Sequence, residues 1–598
     1  MGTKNLPSTA GHERLASAWL RPLANPRPER RHATAELDLS LNSALGRFTG
    51  NVSPAALANA WFEWLTHLQL SPSHQADLTQ DAWKKFWKWE HYAADAARPN
   101  CAAPESCVEP LPQDRRFTDP AWRQWPFNVW SQGFLLNQQW WHRATTSVRG
   151  VSQHHEDVVT FAARQVLDML APSNFLLTNP VVLKETLRRG GGNLVDGARN
   201  AFDDWQRSLK DEHPLPDDAP KPGVQLAITP GKVVLRNALI ELIQYLPSTP
   251  NVHAVPILFV PAWIMKYYIL DLTPGDSLVK YLVDKGYTVF MISWKNPLAE
   301  DRDLSMEDYR RMGVMDAIDK ALEITGAARL NAVGYCLGGT LLSIAAATMA
   351  RDGDSRLASM SLFASQVDFK EPGELSLFID ESQISFLEAI MWKQGFLDTR
   401  QMAGAFQLLR SNDLIWSRRL NEYLLGLPEQ HSDLMAWNAD ATRMPARMHS
   451  EYLRQLFLHN DLAEGRYRTE GRAVALTDIH IPVFAVGTLT DHVAPWRSAF
   501  KINLLTDTEV IFLLTSGGHN AGVVSPPGRL HRSFQAAVHA EGSAYVDPDT
   551  WQATMPVQEG SWWPAWESWL AARGGGKIRP PPMGQSLCDA PGRYVLQR

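Results

Sequence analysis

Residues 331–340 (Asn-Ala-Val-Gly-Tyr-Cys-Leu-Gly-Gly-Thr) constrain this chain more than any other stretch. An apolar run that reads as a buried strand passes straight into Gly-x-Cys-x-Gly. An Ala-rich segment that reads as a helix, 341–350, follows at once. So tight a strand-to-helix turn leaves no room for side chains two positions before and after its apex, which suits Gly334 and Gly338. The elbow lifts Cys336 above the end of a sheet. It sets the sulfur at a helix N-terminus that favours a thiolate and points the N–H of Leu337 where an oxyanion would form. A lone cysteine is more often an inert packing residue. The flanking glycines and the strand–helix context turn the reading toward a nucleophile.

The surroundings predict the sheet that such an elbow needs. After residue 223, short apolar runs at 255–260, 288–293, 330–333, 360–364 and 483–486 alternate with helical stretches. Strands apolar on both faces, separated by helices, make a mostly parallel sheet covered on both sides. The span 369–475 breaks this rhythm and is mostly helical, so it is expected to form a cap over the sheet's C-terminal edge. In the α/β-hydrolase fold the nucleophile is followed by an acid and then a histidine. Asp491 lies in the loop after the run 481–486, and His519 in the Gly-flanked loop after the run 509–514. Asp368 competes as the acid and His492 as the base. A second oxyanion N–H is expected from the loop 261–265, from Ile264 with Trp263 as the alternate. His519 would take the thiol proton and Asp491 would orient the imidazole.

The rest of the chain bounds the answer. A length of 598 residues implies several domains. Residues 1–35 read as a disordered polar tail and 36–96 as a short helical accessory module. A mostly helical N-terminal domain is expected over 97–222, and the catalytic domain over 223–598. Ser53-Pro54 is a helix start signal, and 174–180 a turn. The net charge of −6 argues against a nucleic-acid binder. Four cysteines make no disulfide framework and suit a reducing cytoplasm. Cys101 and Cys107 have no second Cys/His pair nearby, so no metal site is expected. Neither a signal peptide nor a run of about 18 apolar residues is evident, so no transmembrane segment is expected. The 23 tryptophans crowd the N-terminal third, as in 83–89 (Trp-Lys-Lys-Phe-Trp-Lys-Trp). They suit either helix packing or a surface that meets an apolar phase.

Further runs carry a resemblance. They are 261–272 (Pro-Ala-Trp-Ile-Met-Lys-Tyr-Tyr-Ile-Leu-Asp-Leu), 293–297 (Ser-Trp-Lys-Asn-Pro), 411–416 (Ser-Asn-Asp-Leu-Ile-Trp), 437–442 (Trp-Asn-Ala-Asp-Ala-Thr), 560–564 (Gly-Ser-Trp-Trp-Pro) and 590–595 (Ala-Pro-Gly-Arg-Tyr-Val). In the N-terminal half, 171–175 and 178–180 match as well, and 45–78 looks like an accessory module of some members. With these the chain resembles a single-subunit, class I-like polyhydroxyalkanoate synthase from about residue 40 onward. The resemblance implies an acyltransferase that polymerises (R)-3-hydroxyacyl-CoA, with a lean toward 3-hydroxybutyryl-CoA, and releases CoA. It places nucleophile, acid and base on Cys336, Asp491 and His519. It also implies no cofactor beyond the CoA thioester substrate, a cytoplasmic location at the polyester granule surface, phasin-type granule partners and a homodimer. Family proposals also let the acid activate the 3-hydroxyl. Trp263 departs from the family pattern, and its bulk is expected to narrow the acyl pocket or the path from the cap. The rival readings are a thioesterase of the same fold and a non-catalytic granule scaffold.

Overall fold

The computed structural model describes residues 28–98, 105–111, 114–209, 219–402, 404, 411–428 and 432–598. The expected tail falls outside these residues for 1–27, and its last stretch, 28–35, belongs to the helix Pro28–Thr49. Cys101 also lies outside the described residues.

Eleven strands form one sheet. They are β1 (Gly231–Arg236), β2 (Ile240–Tyr245), β3 (Ile257–Val260), β4 (Val289–Trp294), β5 (Leu330–Tyr335), β6 (Leu357–Phe363), β7 (Val483–Thr488), β8 (Val510–Thr515), β9 (Ser533–His539), β10 (Gln558–Glu559) and β11 (Cys588–Asp589). Their spatial order is β10-β9-β8-β7-β6-β5-β3-β4-β2-β1-β11. The six central strands, from β4 across to β8, are parallel. Antiparallel strands extend the sheet on both sides. All residues of β3, β4, β5 and β7 are buried, which is why these strands appear in the sequence as unbroken apolar runs. The run expected at 360–364 is the end of β6. It stops at Phe363 because Ala364 turns to φ 46°.

The strand order reverses around β3, which is flanked by β4 and β5. In open parallel sheets such a switch point leaves a crevice at the strands' carboxyl ends. The loops after β3 and β5 both open there, and they hold Ile264 and Cys336.

Between β6 and β7 the chain builds the expected insertion. Its longest described element is the helix Glu381–Gln394, capped by Asp380, whose carboxylate accepts from the Gln383 N–H. Wide-turn π-helical segments cover Asn412–Trp416, Leu420–Leu424 and Tyr452–Leu458. The insertion is tied to the loop after β3. The Thr442 N–H donates to the Ile264 carbonyl at 3.0 Å, its hydroxyl donates to the Trp263 carbonyl, and the Trp437 indole donates to the Lys266 carbonyl at 2.8 Å.

The N-terminal third is helical. Ser53 caps the helix Pro54–Gln69 by accepting from the Ala56 N–H. Trp64 of that helix packs with Ala60, Val148 and Val159, so residues of the expected accessory module and of the expected N-terminal domain share one small apolar cluster. The tryptophans divide between packed and exposed positions. The Trp64, Trp89 and Trp140 indoles donate to the carbonyls of Ala144, Val129 and Leu78. Trp83, Phe86 and Trp87 are exposed on the helix Pro72–Ala96. Among the described residues no helix is long and apolar enough to cross a membrane.

Candidate active site

Cys336 stands between β5 and the helix Leu337–Arg351, with φ 53° and ψ −126°. Its N–H extends the sheet ladder to the Phe363 carbonyl at 2.9 Å. Its carbonyl accepts from the Gly339 N–H at 2.9 Å and from the Ser365 hydroxyl at 2.7 Å. A Cβ on Gly334 would lie 2.3 Å from the Gly339 Cα, inside the turn itself. A Cβ on Gly338 would lie 2.0 Å from the Val260 carbonyl oxygen and 2.6 Å from the Pro261 carbonyl carbon. So Gly334 is required by the elbow, and Gly338 by the approach of the helix's first turn to the end of β3. Gly339 carries a third such constraint, because its Cβ would meet the Ser365 Oγ at 2.0 Å. The motif reading assigned that glycine no part.

His519 opens the short helix His519–Val523 after β8. Its Nδ1 lies 2.7 Å from the Asp491 Oδ2. The same imidazole lies close enough to Cys336 for the two side chains to influence each other's charge. Asp491 is held on every side. Its Oδ2 also accepts from the Thr488 hydroxyl at 2.7 Å, and its Oδ1 accepts from the N–H groups of Val493 and Ala494 at 2.9 Å each. The Trp562 indole donates to the Gly522 carbonyl and the Trp563 indole to the Val523 carbonyl, fixing the segment that carries His519. Tyr335 packs beside the imidazole, with ring centroids 5.6 Å apart, and donates to the Asn520 side-chain oxygen at 2.6 Å.

The electrostatics follow from this enclosure. Burial alone would pull the His519 pKa down, but the charges of Asp491 and Cys336 outweigh it and hold the pKa well above its ordinary value. Burial pushes Asp491 up, yet the imidazolium and the converging donors keep it below the usual carboxylate value. A buried imidazole between a carboxylate and a thiol can accept the thiol's proton and keep it.

The competing acid, Asp368, faces a lysine. The Asp368 Oδ1 accepts from the Lys370 N–H at 2.8 Å and from the Lys501 ammonium at 3.4 Å, so its charge is spent on that lysine. His492 is half-buried beside Asp491.

The N–H groups of Leu337 and Ile264 form no hydrogen bond with another described residue. Leu337 and Ile264 both line a cavity of about 120 Å³, which continues past Tyr452, His449, Leu453 and Phe457 of the insertion to residues 50–52 near the N-terminus. Burial, with the charge of nearby Cys336 adding to it, raises the Tyr452 phenol's pKa well above its ordinary value. Trp263 does not line this cavity. Its ring is buried among Trp294, Tyr309 and Tyr452. Sequence reasoning missed Tyr452, His449 and residues 50–52, because no local motif marks a cavity wall assembled from three distant segments. Among the described residues no cluster of His, Cys, Asp or Glu could hold a metal ion.

Comparison with known proteins places the chain in a family. The family described as "Poly-beta-hydroxybutyrate polymerase (PhaC) N-terminus" matches residues 113–282, and "Poly-beta-hydroxybutyrate polymerase N terminal" matches 32–74. The α/β hydrolase fold family matches 255–521, the span from β3 to just past His519. Solved structures overlay loosely. A hydrolase from Pseudomonas aeruginosa PA01 is 14% identical, covering 49% of this chain and 92% of its own at a TM-score of 0.28, so the fold rests on the sheet and the family match. Full-length relatives are far closer. A poly(3-hydroxyalkanoate) polymerase of Methylorubrum extorquens is 40% identical over 515 residues, covering 85% of this chain and 84% of its own. The polymerase subunit PhaC of Cupriavidus necator is 34% identical over 560 residues, 91% of this chain and 92% of its own. With a cysteine elbow in an α/β-hydrolase sheet and likeness of this extent, the chain belongs to the poly(3-hydroxyalkanoate) polymerases.

Proposed function

We propose that the chain polymerises (R)-3-hydroxyacyl-CoA, with 3-hydroxybutyryl-CoA as a preferred substrate, through a thioester on Cys336. The observation that carries this is the buried imidazole of His519, which lies 2.7 Å from an Asp491 oxygen and close enough to Cys336 to feel its charge. The Cys336 thiol gives its proton to His519, and the thiolate attacks the thioester carbonyl carbon. The N–H groups of Leu337 and Ile264 receive the oxyanion. The C–S bond to CoA breaks, and the leaving sulfur takes the proton back from His519. In the next step His519 takes the proton of a 3-hydroxyl, whose oxygen attacks a second acyl thioester. An ester forms and a thiol leaves. No redox partner or metal enters this balance, and CoA belongs to the substrate.

Asp491 fits the role of orienting His519 better than that of taking the hydroxyl proton itself, because both its oxygens are already occupied. The small cavity beside Leu337 favours a short acyl unit. The insertion over the site would exclude water, which separates a polymerase from a thioesterase.

The test is CoA release from C4 and longer (R)-3-hydroxyacyl-CoA, with the product analysed alongside. Polymer from the wild type, and loss of CoA release in Cys336→Ala, are expected. Free hydroxy acid without polymer would favour the thioesterase, and unchanged release in Cys336→Ala would remove the sulfur from the mechanism. The exposed Trp83, Phe86 and Trp87 support association with a polyester surface in the cytoplasm. Homodimer formation and phasin-type partners belong to the same proposal, and sedimentation and granule pull-down address them.

A further inference from the structure

We propose that His449 positions the acyl unit on Cys336 by hydrogen-bonding the oxygen on its third carbon, so that the site selects 3-oxygenated acyl groups over plain ones. This rests on the reading of Cys336 as the acyl carrier.

His449 lies on the helix Ala446–Glu451 of the insertion and lines the cavity that reaches Leu337. It is 5% exposed, and its Nδ1 is buried without a hydrogen-bond partner among the described residues. Buried polar atoms are nearly always paired, and an unpaired one is costly to keep. The two glutamines of this wall are already engaged. The Gln383 amide accepts from the Ser53 N–H and donates to the Asn51 carbonyl, and the Gln401 oxygen accepts from the Gln394 amide and the Asp398 N–H. Most of the remaining wall is apolar, including Ile264, Leu337, Met444 and Phe457. The unpaired Nδ1 of His449 is therefore, with the Tyr452 phenol, one of the few polar features of this wall.

The position suits the chemistry. Tyr452 lies one helical turn beyond His449, with ring centroids 6.3 Å apart, and feels the charge of Cys336. The wall thus runs from the elbow through Tyr452 to His449. An acyl group held by its carbonyl at the elbow extends its third carbon along that wall. Burial pushes the His449 pKa down to about 4, so the ring is neutral at physiological pH. A neutral imidazole offers one donor and one acceptor. That pair matches a hydroxyl in the first acyl unit and an ester oxygen once the chain has grown. It carries no charge to pair with a phosphate or a carboxylate.

Single-turnover acylation of the full chain tests this, following CoA release and the mass of the Cys336 adduct with (R)-3-hydroxybutyryl-CoA and with butyryl-CoA. The wild type is expected to prefer the hydroxy thioester by about tenfold or more, the scale of one well-placed hydrogen bond. His449→Phe should bring the two rates within about threefold, mainly by slowing the hydroxy substrate. His449→Gln should restore part of the preference. Equal rates for both thioesters in the wild type would overturn the proposal without any variant. So would an unchanged preference in a folded His449→Phe. Failure of either thioester to acylate the wild type would instead fell the Cys336 reading, and this proposal with it.

Discussion

At Cys336 the backbone adopts φ 53° and ψ −126°, a conformation that a residue with a Cβ seldom takes. The neighbouring glycines already occupy the only space an alternative turn would use. Glycine is ordinarily less favourable than alanine in a structured segment. At this site the order should reverse. Cys336→Gly is expected to be more stable than Cys336→Ala by about 1 kcal/mol, the scale of the relieved strain. Urea unfolding of the two variants measures it, and an Ala variant more stable than the Gly variant would contradict it. His519 supplies a pH dependence. Its pKa is raised above 6.5, so its contribution to stability is fully present below that value and fades as pH rises through its folded pKa. Asp491 is depressed below 3.8, so its contribution is present above that value and fades as pH falls through its own folded pKa. The pair therefore stabilises most between pH 3.8 and 6.5. The Tm deficit of His519→Gln should be widest there and shrink above neutrality. A deficit constant from acid to alkaline pH would exclude the pairing.

The helix Pro28–Thr49 packs on the helix Glu381–Gln394 so closely that a Cβ on Gly46 would meet the Ile390 Cδ1 at 2.7 Å. Gln383 fastens the junction by binding the Ser53 N–H at 2.7 Å and the Asn51 carbonyl at 2.8 Å. Since residues 50–52 line the same cavity as Leu337, this latch couples the N-terminal helices to the acyl site. Gln383→Leu leaves the buried Ser53 N–H unpaired, at a cost of about 1–3 kcal/mol. A lower Tm and faster proteolysis near residues 46–54 are expected, and an unchanged digestion pattern would show that the latch is not needed. None of this coupling could be read beforehand, because Gln383 and Ser53 are separated by most of the chain and neither belongs to a motif. The elbow, by contrast, is a local steric problem whose solution is written in adjacent residues. Asp491 and His519 were legible for a related reason: each follows a strand whose apolar run is unbroken. β1 and β2 escaped because polar residues interrupt them. Glu241 lies fully buried in β2, where it accepts from Arg236 and from the N–H groups of Arg593 and Tyr594.

Across the whole molecule, the central parallel strands and the helical start were readable from apolar periodicity, whereas the extent of the sheet was not. The strands added at its margins are antiparallel and partly polar, so no unbroken apolar run marks them. The outermost ones, β10 and β11, have two residues each. Strands that short offer almost no free backbone for another sheet to join. If two copies associate, these two-residue strands are not where a long ladder could run from one molecule into the next.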